Sequence, residues 1–191
     1  MRIWGKEKIT EDALIAGCVN GDRKMQEELY RLFSPKMFSI CMRYCSNYQE
    51  AEDLLQEGFI KVFGNISRFR KEGSFEGWMK RIFINTAIEG FRKNHFLNNT
   101  LEVEVMKNDI IQEDDFHQLS AADLLRMVQA LSPGYRTVFN MYAIEGFNHQ
   151  EIANMLGISI GTSKSQLARA RYILQKMVLS SQKVQQYAAV L

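Results

Sequence analysis

The run from Asn148 to Met177 constrains this chain most, because it reads as two helices joined by a tight turn, the second with a basic outer face. Asn148 and Glu151 stand three apart at the start of the first helix. This is the spacing of a capping box, in which each side chain satisfies a free backbone donor. Ile152, Ala153 and Leu156 follow as a short apolar stripe, and Gly157 supplies a left-handed C-cap that is cheap only for glycine. Ser159 opens the second helix. Leu167, Ala170, Leu174 and Met177 recur on its inner side, which leaves Thr162, Lys164, Ser165, Gln166, Arg169 and Arg171 pointing outward. Hydroxyls, an amide and cations on one face suit a helix lying in a DNA major groove. An ordinary helical hairpin with a solvated basic face carries the same pattern, so the local sequence fixes a helix-turn-helix and leaves its ligand open.

The 191 residues allow one large domain or two small ones, and 46% hydrophobic with 24% charged residues is a globular composition. No apolar run approaches the roughly 18–20 residues that span a bilayer. The first ten residues lack the apolar centre of a signal peptide. A cytoplasmic protein without membrane insertion is expected. Cys18, Cys41 and Cys45 do not make a disulfide framework. Cys41 and Cys45 are four apart, but no histidine accompanies them, which favours buried apolar cysteines over a metal pair. His95, His117 and His149 are scattered, and no metal or cofactor is expected.

Charge is distributed unevenly. Residues 1–97 carry 16 Lys/Arg against 13 Asp/Glu, residues 98–118 carry one against six, and residues 119–191 carry seven against three. Two mildly basic blocks separated by an acidic segment predict domains at 1–97 and 119–191 with a linker at 98–118. In the first block, Thr10 and Asp22 are candidate caps for helices near 11–20 and 23–33, and Ser34-Pro35 for one reaching Cys45. Asn47 with Glu50 forms a second capping box, opening a helix of about 48–63 that ends at Gly64. Ser74 caps a long segment to about Asn94, with Phe75, Trp78, Met79, Ile82 and Thr86 at helical spacing. Leu101 to Val105 alternates like a strand but has no partner strand, so it reads as extended linker. Helical pattern resumes near Leu119. Ser132-Pro133 starts a helix with an inner stripe of Tyr135, Val138, Phe139 and Tyr142, ending at Gly146. The expected fold is all-α: two helical domains joined by an acidic tether.

Two further stretches could carry function. From Arg68 to Phe96, cations (Arg68, Arg70, Lys71, Lys80, Arg81, Arg92, Lys93) interleave with aromatics (Phe69, Phe75, Trp78, Phe83, Phe91, Phe96). Cations neutralise phosphates and aromatic faces stack on unpaired bases, so such a surface could hold single-stranded DNA. Alternatively the aromatics are core and the cations solvated. In Ala51–Phe59, Asp53 and Glu57 are four apart on one helix face with Gln56 beside them and Leu54 and Leu55 adjoining. A metal site, a solvated face and a protein-docking face all remain open there.

Taken in order, AEDLLQEGFIKVF (51–63), SFEGWMKRIFINTAIEGFRK (74–93), ALSPGYRTVFNMYAIEGFNHQEIANMLGIS (130–159) and GTSKSQLARAR (161–171) resemble the extracytoplasmic-function sigma factors, small specificity subunits of bacterial RNA polymerase. The resemblance runs from about Glu11 to Met177. It implies a sigma-two-like domain at 1–97 and a sigma-four-like domain at 119–191. Asp53, Leu54, Gln56 and Glu57 would dock on core RNA polymerase. Trp78, Lys80, Arg81, Asn85, Arg92 and Lys93 would read and help melt the minus-ten element of promoter DNA. The following loop, with His95 and Asn98, would hold a flipped base. Ser159, Thr162, Lys164, Ser165, Gln166, Arg169 and Arg171 would meet the minus-thirty-five element. The linker would thread through polymerase, and an anti-sigma factor is a common partner in such families. Ser163, Gln166 and Glu89-Gly90 depart from the usual pattern, which commonly has valine, arginine and an aspartate-bearing sequence there. A stand-alone dimeric regulator using the same helix-turn-helix is the alternative. A metal-dependent nuclease built on the acidic cluster lacks a ligand set or nucleophile–base pair.

Overall fold

The computed structural model describes residues 9–98 and 120–188, and among these every regular element is helical. The linker predicted at 98–118, including the alternating Leu101–Val105 run, lies outside the described residues save for Asn98. The rest divides into two compact units. One takes the described residues up to Cys41 with Glu52–Thr86; the other takes Met42–Ala51 with the described residues from Ala87 onward.

In the first unit, α1 (Glu11–Val19) is capped by Thr10, whose Oγ1 accepts from the Ala13 N–H at 3.3 Å. Helix α2 (Arg23–Tyr44) starts at Asp22, whose Oδ1 accepts from the Lys24 and Met25 N–H groups. The break expected at Ser34-Pro35 does not occur, and Pro35 sits inside α2. An interior proline costs about 3 kcal/mol. Here it faces solvent, while Leu29, Met37, Ile40 and Cys41 of the same helix are buried. At about 1.5–3 kcal/mol for each large apolar side chain, that burial outweighs the lost bond. Helix α3 (Tyr48–Asn65) likewise passes Gly64, because the Asn65 side-chain amide donates to the Lys61 carbonyl at 2.8 Å and closes the last turn one residue later. A 3-10 turn, Ile66–Arg68, packs on α1 and leads to α4 (Phe75–Asn98), where Ser74 Oγ accepts from the Gly77 N–H. Helix α4 crosses Glu89-Gly90 without interruption.

The core of this unit is aromatic. Phe75, Met79 and Phe83 of α4 are fully buried, and Phe83 meets Phe59 of α3 edge-on with centroids 5.4 Å apart. Gly58 makes that contact possible: a Cβ there would lie 2.2 Å from the Phe83 ring.

In the second unit, α5 (Ala121–Gln129) opens with a complete capping box between Ser120 and Asp123, and the two Ser120 hydrogen bonds hold the Asp123 carboxyl below its usual range. Helix α6 (Pro133–Phe139) has Ser132 as N-cap and Pro133 in its first turn. It passes into a π-helical turn, Asn140–Ile144, and ends at Gly146 with φ +80°. The buried set here differs from the predicted stripe. Val138 is buried, but Tyr135, Phe139 and Tyr142 are only half-buried, whereas Arg136, Thr137, Asn140 and Met141 are buried. The reason is that α6 is covered on two sides. It packs on α8 (Ile160–Ala188), and Arg136 also donates to the Gln129 carbonyl at 2.6 Å and to Ser46 Oγ at 3.0 Å. Asn140 donates to the Arg43 carbonyl at 2.6 Å. Burial lowers the Arg136 pKa from its ordinary value.

Candidate nucleic-acid interface

The helix-turn-helix forms from the residues that predict it. Asn148 Oδ1 accepts from the Glu151 N–H at 2.9 Å, and the Glu151 carboxylate accepts from the Asn148 N–H at 2.8 Å, opening α7 (His149–Leu156). Gly157 takes φ +70° and closes it. Ser159 Oγ accepts from the Thr162 N–H at 2.9 Å at the start of α8. Both α6 and α7 pack on α8, where Leu167 and Ala170 are buried and Leu174 and Met177 half-buried.

On the other side of α8, Ser159, Lys164, Ser165 and Arg171 are exposed, and Thr162 and Arg169 are partly so. Gln166 is not on that face. It is half-buried beside Gly134 of α6, with Oε1 enclosed and unpartnered. Ser163 is wholly buried, its Oγ 2.9 Å from His149 Nδ1. The inner stripe of α8 therefore starts with two polar residues, Ser163 and Gln166, one turn earlier than apolar periodicity shows. The His149 ring stacks on Tyr142 with centroids 4.6 Å apart, and the Arg171 guanidinium lies over the same ring at 5.6 Å.

On α4, Trp78, Arg81, Asn85 and Arg92 share one face by helical spacing, with Lys80 and Lys93 to either side. Arg81, Asn85, Arg92 and Lys93 are exposed; Trp78 and Lys80 are half-buried. His95 to Asn98 continue α4 and are not a loop, and their side chains, like Asn99 altogether, lie outside the described residues. The concave feature lies at the other end of α4. Residues from the end of the 3-10 turn to the second turn of α4 surround a cavity of about 550 Å³ lined by Arg68, Phe69, Arg70, Glu72, Trp78 and Arg81, among others. Trp78 stacks on Phe75 at 5.5 Å, with Phe69 5.6 Å from Trp78, so the aromatic wall is anchored in the core. The sequence signal for this pocket was Arg68-Phe69-Arg70, caught between the end of α3 and the Ser74 cap.

The acidic face of α3 is also on the surface. Asp53, Gln56 and Glu57 are exposed and Leu54 is half-buried. Ile60, one turn further, is 72% exposed and was not singled out from sequence. Glu57 pairs with Lys61 at 3.0 Å, and among the described residues no cluster of three or more His, Cys, Asp or Glu could hold a metal ion. No described helix is long and apolar enough to cross a membrane.

Sigma-70 region 2 matches residues 29–96 and sigma-70 region 4 matches residues 121–174. The chain is 28% identical over 170 residues to the ECF RNA polymerase sigma factor SigW of Bacillus subtilis, spanning 83% of this chain and 91% of that one. It is 31% identical over 154 residues to the ECF RNA polymerase sigma factor SigE of Mycolicibacterium smegmatis, spanning 78% and 60%. Among solved structures it is similar to the sigma factor RpoE of Bartonella quintana, crystallised with the anti-sigma factor NepR, at 23% identity, TM-score 0.48 and coverage of 80% and 95%. Two sigma-70 regions in their proper order, together with relatives that align along most of the chain, place it in a family: it is an extracytoplasmic-function sigma factor of the sigma-70 family.

Proposed function

We propose that this chain binds core RNA polymerase through α3, captures an unpaired promoter base in the pocket formed by residues 68–74 and the start of α4, and sets α8 in the major groove of the upstream promoter element. One observation carries the reading: a cavity walled by core-anchored aromatics and ringed by arginines opens beside the exposed Arg81–Asn85–Arg92 face of α4. Opening duplex DNA costs about 1.4 kcal/mol per stacked step, and stacking an unpaired base on an aromatic returns about 1–3 kcal/mol. One captured base therefore offsets about one or two steps, and the arginines add phosphate neutralisation. Exposed Ile60 is an apolar spot on the same helix face as Asp53, Gln56 and Glu57, a combination suited to a basic partner surface on polymerase. The chain supplies binding and orientation, and the polymerase supplies the chemistry, so it is not an enzyme. A subunit of this kind works in the cytoplasm, and an anti-sigma protein would inhibit it by covering the same faces.

The test is transcription by purified core polymerase, with and without the chain, on a randomised promoter library. Selective transcripts that need the chain, with two enriched elements, are expected. Absence of transcripts and of core binding by the folded protein would favour a stand-alone duplex-binding regulator.

A further inference from the structure

Arg171 of α8 is held by an aromatic ring instead of a carboxylate. Arg31, Arg43 and Arg126 are paired with Glu28, Glu145 and Asp123. Arg171 has no carboxylate partner among the described residues, and its guanidinium lies 5.6 Å from the centre of the Tyr142 ring. That ring is fixed from several sides. Tyr142 stands in the π-helical turn Asn140–Ile144, where the Glu145 N–H donates to the Asn140 carbonyl, five residues back, at 3.0 Å. The extra residue in such a turn shifts the following side chains round the helix axis. Asn140 and Met141, just before Tyr142, are wholly buried and anchor the turn in the core. His149, the first residue of α7, stacks on Tyr142 at 4.6 Å with an interplanar angle of 25°. Its Nδ1 lies 2.9 Å from the buried Ser163 Oγ. A path of contacts thus runs from an interior hydroxyl to an exposed guanidinium.

A carboxylate in place of that ring would occupy the N–H donors of Arg171 and cancel its charge. A ring face attracts the cation and leaves its donors for another partner. An arginine that grips a phosphate loses rotamer freedom, which weakens binding. Part of that freedom is already gone when the side chain lies over a ring. We propose that Tyr142 is a positioning residue for upstream DNA: it holds Arg171 ready to donate to a backbone phosphate about three turns along α8 from Ser159. Tyr142 acts through Arg171 and needs no contact with DNA itself. This inference rests on the proposed seat of α8 in the major groove.

The experiment uses the full chain bound to core polymerase and a promoter duplex selected in the transcription assay, with affinity measured over a range of salt. Arg171→Ala should weaken binding and reduce the salt slope by about one. Tyr142→Leu should weaken it about threefold to fivefold, the effect of one unrestrained long side chain, with the slope unchanged because the charge stays. In the Arg171→Ala background it should add nothing. Tyr142→Phe keeps the ring and should bind like the unaltered chain. A ring-fluorinated phenylalanine at position 142 keeps the shape but loses the negative ring face, and should bind as weakly as Tyr142→Leu. Equal binding by the fluorinated and plain phenylalanines, or a Tyr142→Leu loss that persists undiminished without Arg171, overturns the role of Tyr142. In either case α8 keeps its place on DNA as long as Arg171→Ala or Lys164→Ala lowers affinity. If no α8 cation variant alters affinity or slope, or no promoter is selected, the seat of α8 and the role of Tyr142 fall together.

Discussion

Ser163 Oγ lies 2.9 Å from His149 Nδ1, so the first residue of α7 is tied to a wholly buried hydroxyl on α8. The bond spans the turn of the helix-turn-helix and fixes the angle at which α8 leaves α7. Ser163→Ala would leave the half-buried imidazole with one partner fewer. A loss of about 1 kcal/mol in urea unfolding is expected. Upstream duplex binding should weaken with its salt dependence unchanged, because Ser163 meets no phosphate.

Gly58→Ala tests the junction of α3 and α4. Alanine in place of helical glycine ordinarily gains up to about 1 kcal/mol. Here its Cβ would sit 2.2 Å from the buried Phe83 ring, which cannot swing away without disturbing Phe59. Overpacking of this kind costs about 1–3 kcal/mol, so the substitution should be net destabilising in thermal unfolding despite the better helix former.

Asp53→Arg combined with Glu57→Arg should leave the fold intact, since both residues are exposed and such surface changes stay within about 0.5 kcal/mol each. Core polymerase affinity, measured by fluorescence anisotropy of the labelled chain, should fall by at least about tenfold. Wild-type affinity in the folded double variant would remove α3 as the docking face.

Lys164→Ala and Arg169→Ala should each weaken upstream duplex binding across sequences and reduce the slope of log affinity against log salt by about one. Both affinity and slope would need to be unaltered in the two variants for α8 to lose its place on DNA.

The helices and their ends were legible wherever a local rule acted alone. The Asn148–Glu151 box, the left-handed Gly157, Ser132-Pro133 and the Ser74 cap all stand where side-chain chemistry places them. The misses come from competition. Pro35 reads as a helix start, but burial on the opposite side of α2 carries the helix through it. Gln166 reads as an outward amide, yet Gly134 leaves room for it against α6, a tertiary fact absent from the local pattern. His95 to Asn99 read as a base-holding loop, whereas α4 runs through Asn98 and the cavity lies at the other end of the helix, against its first two turns. The composition of that cavity was visible as interleaved Arg and Phe; its concavity depends on how the 3-10 turn returns the chain to α4.

The contact at Gly58 has a mechanical meaning for the proposed grip of polymerase by α3 and of an unpaired base beside α4. The Phe83 ring rests directly on the α3 backbone, with no side chain at Gly58 to act as a compliant spacer between the two helices. The pair then behaves as a fixed gauge. If α3 docks on polymerase and α4 holds the base as proposed, the offset between those two faces is fixed by a ring resting on backbone and has little freedom to stretch.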